Sequence, residues 1–253
     1  MTIDGDDIYG RTLPLAGPAM MQRLRDCRVM VAGVGGVGSW AVEALVRTGV
    51  GHITIVDNDT VAPTNINRQL PATTLTVGRP KVEVMAERML AINPDLDIEA
   101  RCDVYTPENA DSYDLDRYDY ILDAIDTLRC KAELIQRAAA SRAVLFSSMG
   151  AARKVHSAAI ATAAFDRVQG CPLARALRQR FRRQGTMPRR RFMCVYSPEV
   201  ADHRTDPSLT AGTDAWSDTR ASVNGTLCHT TAIFGFTLAG LVVEHIYDTT
   251  PQP

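Results

Sequence analysis

Short apolar runs alternate with amphipathic segments over the first 150 positions. Arg28 to Gly33 reads as a buried strand that ends at glycine, and Gly38 to Val50 predicts a helix closed by Gly49 and Gly51. His52 to Asp57, rich in β-branched residues, predicts a second strand. Asn58 to Arg79 has no clear period and holds Pro63, Asn65, Asn67 and Pro71. It predicts a loop of a length that is usually functional in compact domains. Pro80 opens a predicted helix to about Ile92, since proline suits the first helical turn. Asp97 to Cys102, Asp119 to Asp123 and Ala143 to Ser147 predict three further strands. Thr106 to Asn109 predicts a helix start, and Asp126 or Thr127 predicts the cap of a helix reaching about Ser141. Strands alternating with helices predict an α/β, Rossmann-like, mostly parallel sheet with helices on both faces.

The rhythm changes after Gly150. Val155 to Ala161 and Phe192 to Tyr196 predict strands, Pro172 to Arg183 a basic amphipathic helix, and Ala201 to Thr219 a polar, aperiodic loop. Leu227 to Ile246 is apolar enough to suggest a membrane span, yet it includes Cys228, His229, Thr230, Thr231 and Glu244. Without 18 consecutive apolar residues it reads as a buried or dimer-packing helix, and no membrane partner is expected. The organisation expected is one domain over 1–253, with a core at 28–150 and a C-terminal extension at 151–253. With 253 residues and 45% apolar content the chain can bury a real core. The six cysteines form no C-x-x-C pair, which argues against paired-knuckle zinc and a disulfide framework. Met1 to Tyr9 is acidic and polar, unlike a signal peptide, so a cytoplasmic location is expected.

Gly33, Gly35, Gly36 and Gly38 fall between a predicted strand and a predicted helix. Glycines there permit a tight turn and let backbone N–H groups approach a phosphate at a helix N-terminus. Asp57 ends the next strand, where a carboxylate can accept both hydroxyls of a ribose. This pairing points to an adenine nucleotide without separating NAD from ATP. The residues that follow separate them: Asp59, Asn65, Arg68 and Gln69, then Lys81 at the head of the next helix. Hydride transfer has no use for two cations there. Adenylation of a carboxylate does, because negative charge builds on the α-phosphoryl oxygens and on the leaving pyrophosphate. Asp126, three residues after Asp123, is a candidate Mg²⁺ ligand; its other available role is a helix cap.

In order and spacing, Gly33 to Gly38, Asp57 to Asp59, Asn65 to Gln69, Lys81 and Asp123 to Asp126 resemble the superfamily of ubiquitin-activating-like adenylating enzymes, over roughly residues 28–150. The resemblance implies ribose binding by Asp57, phosphate contacts from Asn65, Arg68 and Lys81, and Mg²⁺ held at Asp126. It also implies a homodimer, with Arg11 as the candidate for an arginine that reaches the partner's site. Ser148 to Lys154, Pro172 to Arg175, Cys194 to Glu199 and Phe234 to Phe236 are similar to the branch of tRNA threonylcarbamoyladenosine dehydratases. That branch adenylates the carboxylate of the threonylcarbamoyl group on a tRNA adenosine. A carbamoyl nitrogen then attacks the activated carbon, AMP leaves and a hydantoin results. The chain departs from the branch at Cys171, where an acid is commoner, and over Ala201 to Val223. The alternative within the superfamily is activation of the C-terminal glycine of a ubiquitin-like sulfur carrier, and a sulfur-transfer protein is a further partner the resemblance implies. Carrier-activating members commonly have paired zinc motifs that this chain lacks, so no zinc is expected.

Charge distribution adds a substrate. Between Asp166 and Glu199 there is no acidic residue, while Arg167, Arg175, Arg178, Arg180, Arg182, Arg183, Arg189, Arg190 and Arg191 all occur, in a chain of net charge -1. Leu173, Leu177 and Phe181 should face the core, and Arg175, Arg178 and Arg182 should share another face. Such a row suits a phosphate backbone, with Arg183, Arg189, Arg190 and Arg191 extending it, and favours tRNA over a merely solvated face. His156, His203, His229 and His245 form no metal motif and are expected in core or surface roles, and Cys171 and Cys228 are not required by the chemistry.

Overall fold

The structure, a computed structural model, describes residues 8–202, 204 and 224–251. Its elements in chain order are α1 (Leu13–Asp26), β1 (Arg28–Ala32), α2 (Gly38–Thr48), β2 (His52–Val56), α3 (Lys81–Ile92), β3 (Asp97–Arg101), β4 (Tyr120–Asp123), α4 (Leu128–Ala138), β5 (Val144–Ser148), β6 (Ala161–Ala164), α5 (Pro172–Gln184), β7 (Met193–Tyr196) and α6 (Cys228–Thr249). The strands form one sheet in the order β3-β2-β1-β4-β5-β7-β6. All pairs are parallel except β6–β7, in which Ala161 faces Tyr196 and Ala164 faces Met193. The predicted Rossmann-like sheet is therefore present. The residues after 150 complete that same sheet.

Strands buried on both faces read as nearly continuous apolar runs, which is why β1, β2 and β4 are legible. Their side chains alternate between two cores. Val29 and Val31 pack on one face with Met21, Leu24, Val42, Leu45, Phe234 and Leu238, from α1, α2 and α6. Met30 and Ala32 pack on the other with Leu134, Ile135, Leu177 and Phe181, from α4 and α5. α6 lies tightly on α2: a Cβ at Gly235 would sit 2.4 Å from the Val37 carbonyl oxygen. By length and composition α6 could cross a membrane, but Phe234, Leu238, Val242 and Ile246 are buried in the core.

Two expectations need correction, and one helix was not expected. The helix start at Thr106 to Asn109 is a turn leading only into a short 3-10 segment, Ala110–Ser112. The Asn109 side chain accepts from the Thr106 N–H at 2.8 Å and donates to the Val104 carbonyl at 2.7 Å, so it satisfies the backbone locally instead of launching a helix. The strand expected at Val155 to Ala161 begins only at Ala161, because the N–H groups of Val155 and His156 both donate to the Glu199 carboxylate. Helix α1 had no sequence forecast: Gly17 (φ 71°) and Pro18 punctuate it, and its C-terminal part is held by buried Met20, Met21 and Leu24. The loop expected over Ala201 to Thr219 lies outside the described residues apart from 201, 202 and 204.

Candidate active site

The sheet order reverses between β1 and β4, where open α/β sheets bind ligands at the carboxyl ends of their strands. The glycine loop leaves β1 at this point. Gly33 has φ 89°, and a Cβ on it would sit 2.8 Å from the Ala124 carbonyl oxygen. A Cβ on Gly38 would lie 1.8 Å from the Gly33 carbonyl oxygen, so neither position accepts a side chain. Around Gly35 the nearest atoms are those of Gln69, at 3.7 Å, and Gly36 is approached by Thr231 of α6 and by Arg68. Asp57 braces the loop: one carboxylate oxygen accepts from the Val34 N–H at 2.8 Å, the other from the Asp59 N–H at 2.9 Å. Burial raises the Asp57 pKa, while Lys81 and those two N–H groups pull it back. The remaining lone pairs can still accept from a ribose.

Lys81 is buried at the head of α3, and its Nζ donates to Asp59 at 2.7 Å. Asp59 thus orients the lysine. Arg68 is half-buried, its Cγ would lie 3.6 Å from a Cβ on Gly36, and its Nη1 donates to the Thr64 carbonyl and to Asn67, both at 2.9 Å, which fixes the guanidinium on its own loop. Asn65 accepts from the Ala62 N–H at 3.0 Å, leaving its amide nitrogen able to donate. Gln69 is buried, and its Oε1 has no hydrogen-bond partner, as expected of a group aimed at a nucleotide. The 58–79 loop is therefore folded around the glycine turn.

The two aspartates after β4 differ in kind. Asp123 is fully buried, pairs with the equally buried Lys131 at 2.8 Å, and accepts from Ser147 Oγ at 2.6 Å and the Ile125 N–H at 3.1 Å. Lys131 Nζ also donates to the Ile125 carbonyl at 3.0 Å. Asp123 is closed off from solvent and, with Lys131, locks the turn that leads to Asp126. Asp126 is exposed on that turn. It does not cap α4, whose N-cap position is Thr127; the Asp126 Oδ1 accepts the Thr127 hydroxyl at 3.4 Å, and its other oxygen has no hydrogen-bond partner among the described residues. A carboxylate left open in this way fits a single protein ligand for Mg²⁺, an ion that keeps several waters and takes its other oxygens from phosphates. Among the described residues no group of three or more ligand-type side chains could hold a metal by itself.

A second set of side chains converges beyond the ends of β5 and β7, which the histidine spacing did not reveal. His156 Nδ1 lies 2.9 Å from Glu199, whose other oxygen accepts the N–H groups of Val155 and His156 at 3.0 Å each. These bonds hold the Glu199 carboxyl at a pKa of about 2. Lys154, buried and with its pKa lowered by desolvation, donates to the Glu199 carbonyl. His229 Nε2 contacts the Val155 carbonyl at 2.9 Å. His245 instead meets Tyr120 at the other end of α6, and His203 lies outside the described residues.

The arginine segment divides. On α5, Leu177 and Phe181 are buried as expected, and Leu173 is partly so. Arg178 is withdrawn from the expected row: its Nη1 donates to the Phe165 carbonyl at 3.0 Å and its guanidinium lies over the Phe165 ring. Arg190 wraps the C-terminus of α4, bonding the carbonyls of Ala138, Ala139, Ser141 and Ala143. Arg191 pairs with Asp166. Arg175, Arg182, Arg183 and Arg189 are exposed and make no ion pair among the described residues. Arg11 is exposed beside Tyr9, whose hydroxyl donates to Val46 near the far end of α2. Its own glycine loop is on the order of 15 Å away along that helix. All six cysteines are free; Cys171 is buried and Cys228 exposed. A cleft of about 560 Å³ between Arg23, Tyr118, Tyr120 and Arg142 opens at the opposite, amino-terminal edge of the sheet, away from this chemistry.

The ThiF family pattern matches residues 9–252. The tRNA threonylcarbamoyladenosine dehydratase of Haemophilus influenzae is 36% identical over 245 residues, which is 94% of this chain and 92% of that protein. The crystal structure of the Escherichia coli enzyme of that name, TcdA, in complex with ATP superposes with a TM-score of 0.84 at 32% identity, covering 98% of both chains. The sulfur carrier protein adenylyltransferase of Thermus thermophilus is 40% identical, but over 114 residues and 45% of this chain. The carrier-activating relative thus matches less than half of this chain and the dehydratases nearly all of it, and the chain belongs to the ThiF family.

Proposed function

We propose that the protein uses ATP to adenylate the carboxylate of threonylcarbamoyladenosine in tRNA and then closes it to the hydantoin with release of AMP. The observation that carries this reading is one assembly: the glycine turn, Asp57, Arg68, Lys81 and Asp126 meet at the sheet's switch point, in a chain that matches the dehydratases end to end. Asp57 receives the ribose, and the loop N–H groups and the head of α2 receive phosphates. Arg68 and Lys81 are preorganised by Thr64, Asn67 and Asp59, so they need little rearrangement as charge develops on the phosphoryl oxygens. Mg²⁺, when bound at Asp126, would neutralise phosphate charge. Arg175, Arg182, Arg183 and Arg189 form the tRNA-facing row. Residues 28–150 act as the nucleotide half and 151–253 as the substrate half of one domain.

The same reading makes the protein a cytoplasmic homodimer. Leu13, Leu15, Phe236 and Tyr247, exposed on α1 and α6, offer the apolar contact, and Arg11 would serve the partner's site. The test is incubation with ATP, Mg²⁺ and threonylcarbamoylated tRNA, followed by nucleoside mass spectrometry. Loss of one water, dependent on ATP, is the expected result; unchanged nucleoside, with pyrophosphate exchange supported by a sulfur-carrier peptide instead, would overturn the proposal.

A further inference from the structure

We propose that His156, oriented by Glu199, is the general base that takes the proton from the attacking carbamoyl nitrogen during ring closure. The inference rests on the function proposed above and concerns its second step, which the nucleotide-binding residues do not serve.

The dyad has the geometry of a prepared base. Glu199 is held ionised by two backbone N–H bonds and can only accept, so the proton of the neutral imidazole lies on Nδ1. Nε2 is then a lone-pair acceptor, and the ring is 77% exposed while Glu199 is 16% exposed. A carboxylate behind an imidazole fixes its tautomer and steadies the imidazolium formed on protonation.

The position is set by the strap that precedes α6. The Gly225 carbonyl accepts from the Arg153 N–H at 2.9 Å, and the adjacent Thr226 carbonyl accepts from Asn67 at 3.2 Å. Asn67 in turn holds the Arg68 guanidinium. Consecutive carbonyls of one segment therefore join the phosphate-side arginine to the turn that carries His156. His229 of α6, two residues from the Thr231 that touches the glycine loop, closes the other side through Val155. The relay from Arg68 runs through Asn67, Thr226 and Gly225 to Arg153, and His156 follows three residues further along the chain. It faces outward over β5 and β7, whereas Asp57 lies at the end of β2, so nucleotide and acyl substrate would fill opposite halves of the strand ends.

The step balances without an additional reactant. The carbamoyl nitrogen forms a bond to the acyl carbon of the adenylate, and its proton passes to His156 Nε2. The bond from that carbon to the phosphate oxygen breaks, with its electron pair leaving on AMP. The imidazolium then returns its proton to water.

The test separates the two half-reactions. With ATP, Mg²⁺ and threonylcarbamoylated tRNA, ATP–pyrophosphate exchange reports adenylation, hydroxylamine traps the acyl adenylate, and single-turnover mass spectrometry reports the hydantoin. In His156→Gln, exchange should stay within a few-fold of wild type. Hydantoin formation should slow by about 100-fold or more, and trapped hydroxamate should rise. His156→Ala should regain ring closure with added imidazole, and Glu199→Gln should show the same split more weakly. Ring closure within three-fold of wild type in His156→Gln overturns the inference, as does a parallel loss of exchange and closure. If the wild-type protein itself shows no exchange with this tRNA, it is the proposed function that fails.

Discussion

Replacing Lys131 with methionine would probe how the turn carrying Asp126 is held. Lys131 and Asp123 are both fully buried, and the ammonium makes two contacts, 2.8 Å to Asp123 and 3.0 Å to the Ile125 carbonyl. Methionine keeps most of the volume and removes both contacts. It leaves a carboxylate with only Ser147 and the Ile125 N–H as partners. Breaking one side of a buried pair costs about 3–5 kcal/mol, because the remaining charge is uncompensated. Two retained hydrogen bonds favour the lower end, about 3 kcal/mol. Urea unfolding of both proteins at neutral pH measures this, and Asp123→Leu combined with Lys131→Met should recover much of the loss. A deficit below about 1 kcal/mol, or no recovery in the double variant, would show that the pair is not the clamp it is taken for.

Arg68→Ala and Asp126→Ala should each lower ATP–pyrophosphate exchange by about 10²–10³-fold with unfolding midpoints unchanged, since both belong to the proposed phosphate site and neither side chain fills the core. Changing Arg175, Arg182, Arg183 and Arg189 together to glutamine should weaken tRNA binding and reduce the slope of log affinity against log salt by roughly one per lost phosphate contact, with ATP affinity nearly unaltered. Arg178→Gln, by contrast, should lower the melting temperature more than the salt slope, because its guanidinium serves Phe165. Glu199 has a depressed folded pKa of about 2, so its contribution to stability is present above the unfolded value near 4.3 and is lost as pH falls toward 2. Glu199→Gln should flatten that acid limb in denaturation curves measured between pH 2 and 5.

The stretch from 28 to 150 was legible in the chain because its signals are local. A strand buried on both faces must be apolar throughout, so β1, β2, β4 and β5 declare themselves. Backbone sterics demand glycine at positions 33 and 38, where any Cβ would meet a carbonyl oxygen. The order of Asp57, Arg68, Lys81 and Asp126 then reads as a phosphate site, since each follows a recognisable element by a short distance. Neighbours distant in sequence were decided only by the tertiary structure. Asp123 and Asp126 look alike three residues apart, yet the sheet buries the first against Lys131 and Ser147 and leaves the second open. Among the arginines, composition could not tell Arg178 and Arg190, which the fold spends on backbone carbonyls, from Arg175 and Arg182, which stay in solvent. His156 and Glu199 are separated by 43 residues and share no motif. They meet because parallel strands β5 and β7, neighbours in the sheet, deliver their following loops to the same edge. Pairing of that kind is a property of topology, and no window along the chain contains it.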